Sequence, residues 1–267
     1  MKKLTIFAVA FAAILVASCG GNKSAQNVES ADSAKSFEQE QIEASIKMQF
    51  DSLAAELGKL KQLPVFKNNE GKFELSKEEK QVKPDFLLDP AIAENAATLS
   101  EKYRTLVALQ VDKQISNLYE MPEDAYDKAI AKLAADINDP SFKELEEGAD
   151  IFETTQTLYD SMNKNGRINY FWQMAATSLV EQLYITSQKT DAFIGSFNDE
   201  AAANITFRII LLQDAIDRLK EYDPEIAPVA EAIKPLTVLN ATTVDELKAQ
   251  LAEAKDKIIA SRNALIK

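Results

Sequence analysis

The chain has 267 residues, 30 of them basic and 42 acidic, for a formal net charge of −12. Such acidity argues against nucleic acid and against docking on anionic lipid. There is no histidine and a single cysteine, so the commonest acid/base group and the usual ligand sets for zinc, haem and iron–sulfur clusters are missing.

The chain opens on an address. Met1-Lys2-Lys3 is a short basic start, residues 4–16 form an apolar run of thirteen, and Val16-Ala17-Ser18-Cys19 closes the segment. Thirteen apolar residues are too few to cross a bilayer, which takes roughly 20. The three-part layout is that of a secretory signal, and an ordinary signal peptide does not need a cysteine at its cut site. Val16-Ala17-Ser18-Cys19 resembles the lipobox of bacterial lipoproteins: an aliphatic residue, two small ones, then the cysteine. The resemblance implies a signal peptide over residues 1–18 and lipidation of Cys19. Several acyl chains would then anchor the protein stably. Gly20 rather than Asp comes next, which by the same resemblance implies the outer membrane and leaves the leaflet open. This likeness covers residues 1–19 and assigns no role to the remainder. With Cys19 consumed, no thiol is left for a disulfide. Residues 20–36 hold one Val and no other large apolar side chain, so residues 19–36 are expected to be a lipidated cysteine and a flexible tether. Its r.m.s. reach of about 20–25 Å keeps the domain close to the membrane.

From Phe37 the period becomes helical. Ile46, Phe50, Leu53, Leu57 and Leu60 recur at steps of 4, 3, 4 and 3, one apolar face that stops before Pro64. Residues 65–75 are the one place for a small β-hairpin, with Asn69-Glu70-Gly71 as its turn. Ser76 followed by Glu79 predicts a capping box for a short helix ending before Pro84. Asp89-Pro90, Asp139-Pro140 and Asp223-Pro224 each predict a helix start. The first opens a face through Tyr103, Val107, Val111, Ile115 and Leu118, broken at Met121-Pro122. Tyr126, Ile130, Leu133 and Ile137 mark the next helix. The second pair opens a face through Phe142, Leu145, Phe152, Leu158 and Met162, closed by an Asn165-Gly166 turn. Residues 168–187 are apolar around most of the circumference, which predicts the centre of a bundle. Asn198 with Asp199 and Glu200 starts the seam Ile205, Ile209, Leu212, Ile216 and Leu219. Pro224, Pro228 and Pro235 permit only short helical turns, and Thr243 with Glu246 caps a last helix running through Leu247, Leu251, Ala254, Ile258 and Leu265. The expected fold is all-α: residues 37–267 as an antiparallel helical bundle of about seven or eight helices. The scarcity of Gly (7) and Pro (8) agrees with long helices. A split into two bundles near residues 163–166 is the alternative.

Chemistry is thinly marked. Residues 168–187 are the richest aromatic stretch, and Trp172, Tyr170 and Tyr184 are either core packing or contacts for a ligand or partner. Arg208 lies among apolar neighbours. It needs a carboxylate or carbonyl partner if buried, with Glu181 the candidate, or it holds an anionic ligand. Asp214 and Asp217 share a helix face, yet Arg218 stands where it can pair with Asp214. There is no phosphate loop, no nucleophile elbow and no triad, so no catalytic residue, metal or cofactor is expected. Asp32-Ser33-Ala34, Asp51-Ser52-Leu53 and Asp160-Ser161-Met162 resemble a three-residue O-glycosylation motif of exported proteins in some Gram-negative lineages, which implies Ser33, Ser52 and Ser161 as acceptors. The functional expectation is a non-enzymatic, lipid-anchored binding or assembly module of the outer membrane with an envelope protein as partner. Two alternatives stand beside it. One is a small-molecule or glycan-binding lipoprotein, whose aromatics would line an open cleft with Gln173 or Arg208. The other is a carboxylate-dependent enzyme acting on glycans, with two acids facing each other across a cleft at about 5–10 Å.

Overall fold

Every regular element among the described residues is a helix. The computed structural model describes residues 37–60, 63–66, 73–144, 151–152 and 154–266, with the backbone alone for 37–43, 143 and 144. The expected signal segment, Cys19 and the tether with Ser33 lie outside these residues. Contacts divide the chain between Ile42 and Glu43. Of the first unit only the opening turns of one helix are described; the remainder of that helix and every other element belong to the second.

In chain order the α-helices are α1 (Phe37–Lys59), α2 (Lys77–Gln81), α3 (Leu99–Leu118), α4 (Asp124–Ile137), α5 (Thr155–Lys164), α6 (Ile168–Gln188), α7 (Thr190–Ile194), α8 (Asp199–Leu219), α9 (Ala227–Ile233), α10 (Val244–Glu253) and α11 (Lys255–Leu265). The all-α expectation holds. The count exceeds eight because α7 and α9 are short turns of helix and the last expected helix breaks at Ala254, which caps α10 and begins α11. The capping boxes at Ser76 and Thr243 form as expected, and Asn198 caps α8 through its side chain.

Two expectations fail. Val65 and Phe66 sit in a 3-10 turn (Pro64–Phe66) with both side chains buried, so the first strand of a hairpin over 65–75 does not form; its turn lies outside the described residues. The first two Asp-Pro pairs do cap helices, but short 3-10 ones, Pro90–Glu94 and Pro140–Glu144, while the third starts Pro224–Ile226, short as expected. The long helices begin later. α3 takes its start from a Thr98–Glu101 capping box, and α5 starts at Thr155 rather than after Pro140.

Side-chain pairs fix the packing directions. Lys113 bonds Asp127 and Lys102 bonds Asp136, so α3 and α4 run antiparallel. Arg218 meets Gln49 while Arg208 meets the Leu60 carbonyl, so α1 and α8 do too. α11 opposes α6: Arg262 reaches Glu181, whereas Leu265, one turn on, is bonded by Arg104, which also bonds Gln173. The central pair is different. Arg104 meets Gln173 and Asp112 meets Glu181, the same advance along both chains, so α3 and α6 lie parallel. The turn from α3 to α4 reverses direction, and so does the turn from α5 to α6, where Gly166 takes φ 67°. Parallel α3 and α6 therefore require α4 and α5 to point the same way, so the connection through the Pro140–Glu144 turn crosses over instead of folding back. One apolar core links the long helices, with α6 at its centre, where every residue from Phe171 to Leu183 is buried; α2 buries no side chain.

Candidate functional site

The four residues singled out as contacts lie in four separate neighbourhoods. Trp172 is 0 % exposed, with ring centroids 5.1 Å from Phe171, 6.0 Å from Tyr159 and 6.2 Å from Phe50. Its indole N–H finds no acceptor among the described groups. Tyr170 is half-buried and stacks on Tyr103 at 4.5 Å, with the Arg167 guanidinium 5.6 Å from its ring. Tyr103 in turn donates to Asp139, and burial is the main reason its hydroxyl is pushed well above the ordinary tyrosine value. Tyr184, also half-buried, carries the Arg262 guanidinium 3.9 Å from its ring centroid. Arg208 is 0 % exposed, donates to the Leu60 carbonyl at 3.3 Å and lies 4.6 Å from the Phe152 ring.

That arrangement rules out an open aromatic cleft at Trp172. Gln173, expected to converge on such a cleft, is buried and occupied by Arg104 at 2.8 Å and Ser100 at 3.4 Å. An anionic ligand does not reach Arg208, which is closed off from solvent and set against the carbonyl end of α1, where a cation is favoured. The apolar void beside Ala176, Val180, Leu212 and Ile233 measures about 10 Å³, room for at most one water. Asp214 pairs with Arg218 at 2.9 Å, and Asp217 with Lys220 at 2.9 Å and Gln213 at 2.8 Å. Among the described residues no group of three or more acids, histidines or cysteines is placed to hold a metal ion, and no helix is long and apolar enough to cross a membrane. Of the serines in the Asp-Ser motif, Ser52 is exposed on α1 and Ser161 half-buried on α5. The helices holding them touch, since Tyr159 donates to Asp51 at 2.9 Å.

The concentrated chemistry lies elsewhere. Glu181 does not partner Arg208. It is gripped by Arg262 of α11 through three contacts: Nε to Oε2 at 2.8 Å, Nε to Oε1 at 3.0 Å and Nη2 to Oε1 at 2.7 Å. Asp112 of α3 faces the same carboxyl group. Both acids are 0 % exposed. Burial, then repulsion from Glu181, raises the Asp112 carboxyl well above the ordinary carboxylate range; the Leu88 N–H and Arg262 oppose the rise. Two acids and one guanidinium thus share a closed pocket in the helix packing. Neither Asp112 nor Arg262 breaks the helical period, and so neither stands out in the sequence. The legible signal is Glu181, the one charged residue of α6.

No family model, curated protein or solved structure matches the chain.

Proposed function

We propose that this chain is a lipid-anchored binding or assembly module of the outer membrane, tethered through Cys19 and acting without catalysis on an envelope protein partner. The address supports the location, and the closed interior supports a role played on the outer surface. The observation that carries the reading is on α8. Phe207 and Ile210, one turn apart on its outward face, are each 56 % exposed. At a spacing of three they are neighbours on the helix surface and form one apolar spot, the kind of contiguous exposed surface from which interaction sites are built. Beside them, Thr206 donates to the Ala241 carbonyl at 2.8 Å, which holds the 238–241 segment against α8 with Val238 exposed at its start. On the same reading Ser33 and Ser52 are glycan acceptors, checked by intact-mass comparison of the exported chain with its Ser33→Ala and Ser52→Ala variants.

The test is a photo-crosslinking residue placed at Phe207 in cells, with the exposed Lys132 of α4 as control position. Capture of one dominant envelope protein from Phe207 and not from Lys132 is expected. Equal capture from both positions, or none from Phe207, overturns the assignment of this face.

A further inference from the structure

The buried acid pair also holds down a stretch of irregular chain. Residues 85–89, between α2 and the Pro90–Glu94 turn, are fastened to neighbouring helices by three hydrogen bonds, one ending at Asp112, one at its neighbour Arg262 and one at Tyr126. The Leu88 N–H donates to Asp112 Oδ2 at 2.6 Å, the Tyr126 hydroxyl of α4 donates to the Leu88 carbonyl at 2.9 Å, and Arg262 Nη2 donates to the Phe86 carbonyl at 3.5 Å. Asp112 Oδ1 receives no N–H or O–H from any described residue, and the Asp112 carboxyl lies within hydrogen-bonding reach of the Glu181 carboxyl. Two bare carboxylate oxygens do not stay pressed together in a dry interior. A proton on Asp112 Oδ1 resolves both problems at once, because it turns the contact into an O–H···O bond donated to Glu181.

We propose that this shared proton is a pH-operated latch. While Asp112 holds it, one negative charge faces the Arg262 guanidinium and segment 85–89 stays fastened. When it leaves to solvent water, two negative charges face one guanidinium, the pocket takes in water, and the segment lifts. α3, α6 and α11 are regular helices locked into the core by their apolar faces; 85–89 also packs Phe86, Leu87 and Leu88 against the core, but it is the part of the enclosure without regular structure, so it is the part that gives. The other groups facing the pair do not neutralise the second charge. Tyr126 and Tyr184 are pushed further toward their neutral forms, chiefly by burial, and Asp85 and Asp89 on the segment add negative charge. Arg262 is already the cation of the cluster: burial lowers its proton affinity, but Glu181 and Asp112 hold it raised. The proposal does not rest on the docking role of α8.

The test is amide hydrogen exchange across pH on the full chain in detergent micelles, corrected for intrinsic rates, alongside Asp112→Asn. Asparagine is the neutral mimic: its oxygen accepts the Leu88 N–H and its amide donates to Glu181, with nothing to titrate. In the native chain, protection of amides 85–89 is expected to fall by up to about tenfold per pH unit above the titration of the pair, while α3 and α6 stay protected. In the variant, protection is expected to stay flat. A flat native profile, an equal slope in Asp112→Asn, or loss spread equally over α3 and α6 overturns the latch. The Asp112 carboxyl carbon followed by NMR in the native chain keeps the question open to refutation should the variant not fold: a midpoint within the ordinary carboxylate range refutes it, and one above that range supports it.

Discussion

Arg262 shows how burial decides the worth of an ion pair. Its side chain is 11 % exposed and Glu181 is 0 % exposed. Removing one partner leaves a charge with neither water nor counter-ion, which costs about 3–5 kcal/mol. Arg262→Ala is therefore expected to lose that much stability in urea denaturation at neutral pH. Lys47→Ala, which deletes an exposed pair with Asp51, is expected to lose under about 1 kcal/mol. Replacing both buried partners, Glu181→Gln with Arg262→Met, is expected to recover most of the loss, because no uncompensated charge remains. pH acts on the same cluster. Asp112 is raised above its unfolded value, so the stability it contributes is fully present below the ordinary carboxylate range. It is lost as pH rises through the raised value. Asp112→Asn is expected to remove that slope from a stability-against-pH series. In the sequence, Glu181 is visible as a charge in an apolar helix. Its partner is not, because Arg208 and Arg262 are both helical arginines with apolar neighbours, and only tertiary packing decides which one reaches it.

Helix ends are legible where a cap is built from residues close in sequence. Ser76–Glu79 and Thr243–Glu246 are such caps, and Asn198 is another. The Asp-Pro pairs are legible as caps but not as to length. Asp89 accepts from the Ala91 N–H at 2.9 Å and starts a helix that ends by Glu94, because nothing in a two-residue signal says how far the helix runs. α3 instead begins where Thr98 accepts from the Glu101 N–H at 3.1 Å and Glu101 accepts from the Thr98 N–H at 2.9 Å. Thr98→Ala is expected to cost about 1 kcal/mol, read as a shift of the urea midpoint at unchanged slope. The Glu101 carboxyl is lowered, first by the Thr98 backbone N–H. Its contribution is accordingly present above the ordinary carboxylate range and lost on acidification, the opposite sense to Asp112. Thr98→Ala keeps that backbone N–H and is expected to leave most of the acid-side loss in place; Glu101→Gln, which removes the titrating carboxyl, is expected to abolish it, and an unchanged acid slope in Glu101→Gln would mean that this cap is not its source.

At the scale of the whole molecule, periodicity marks the helices and hides their directions. The parallel run of α3 and α6 depends on the crossover between α4 and α5, which no local pattern encodes. It is visible only once Arg104 meets Gln173 and Asp112 meets Glu181. The same packing answers whether the chain parts near residues 163–166. Phe171 and Trp172 lie just past that point, and their rings are packed on Tyr159 of α5, with Trp172 also on Phe50 of α1. A boundary there would cut through the core. Trp172 is the single tryptophan, so its fluorescence reports that centre alone, while far-UV circular dichroism reports all the helices. The two signals are expected to trace one coincident urea transition, with blue-shifted emission in the native state. Trp172→Ala is expected to lower stability by about 3–5 kcal/mol in the dichroism curve. Two separated midpoints, or a Trp172→Ala variant that unfolds only part of the helical signal early, would mean that α6 closes one bundle and merely abuts another.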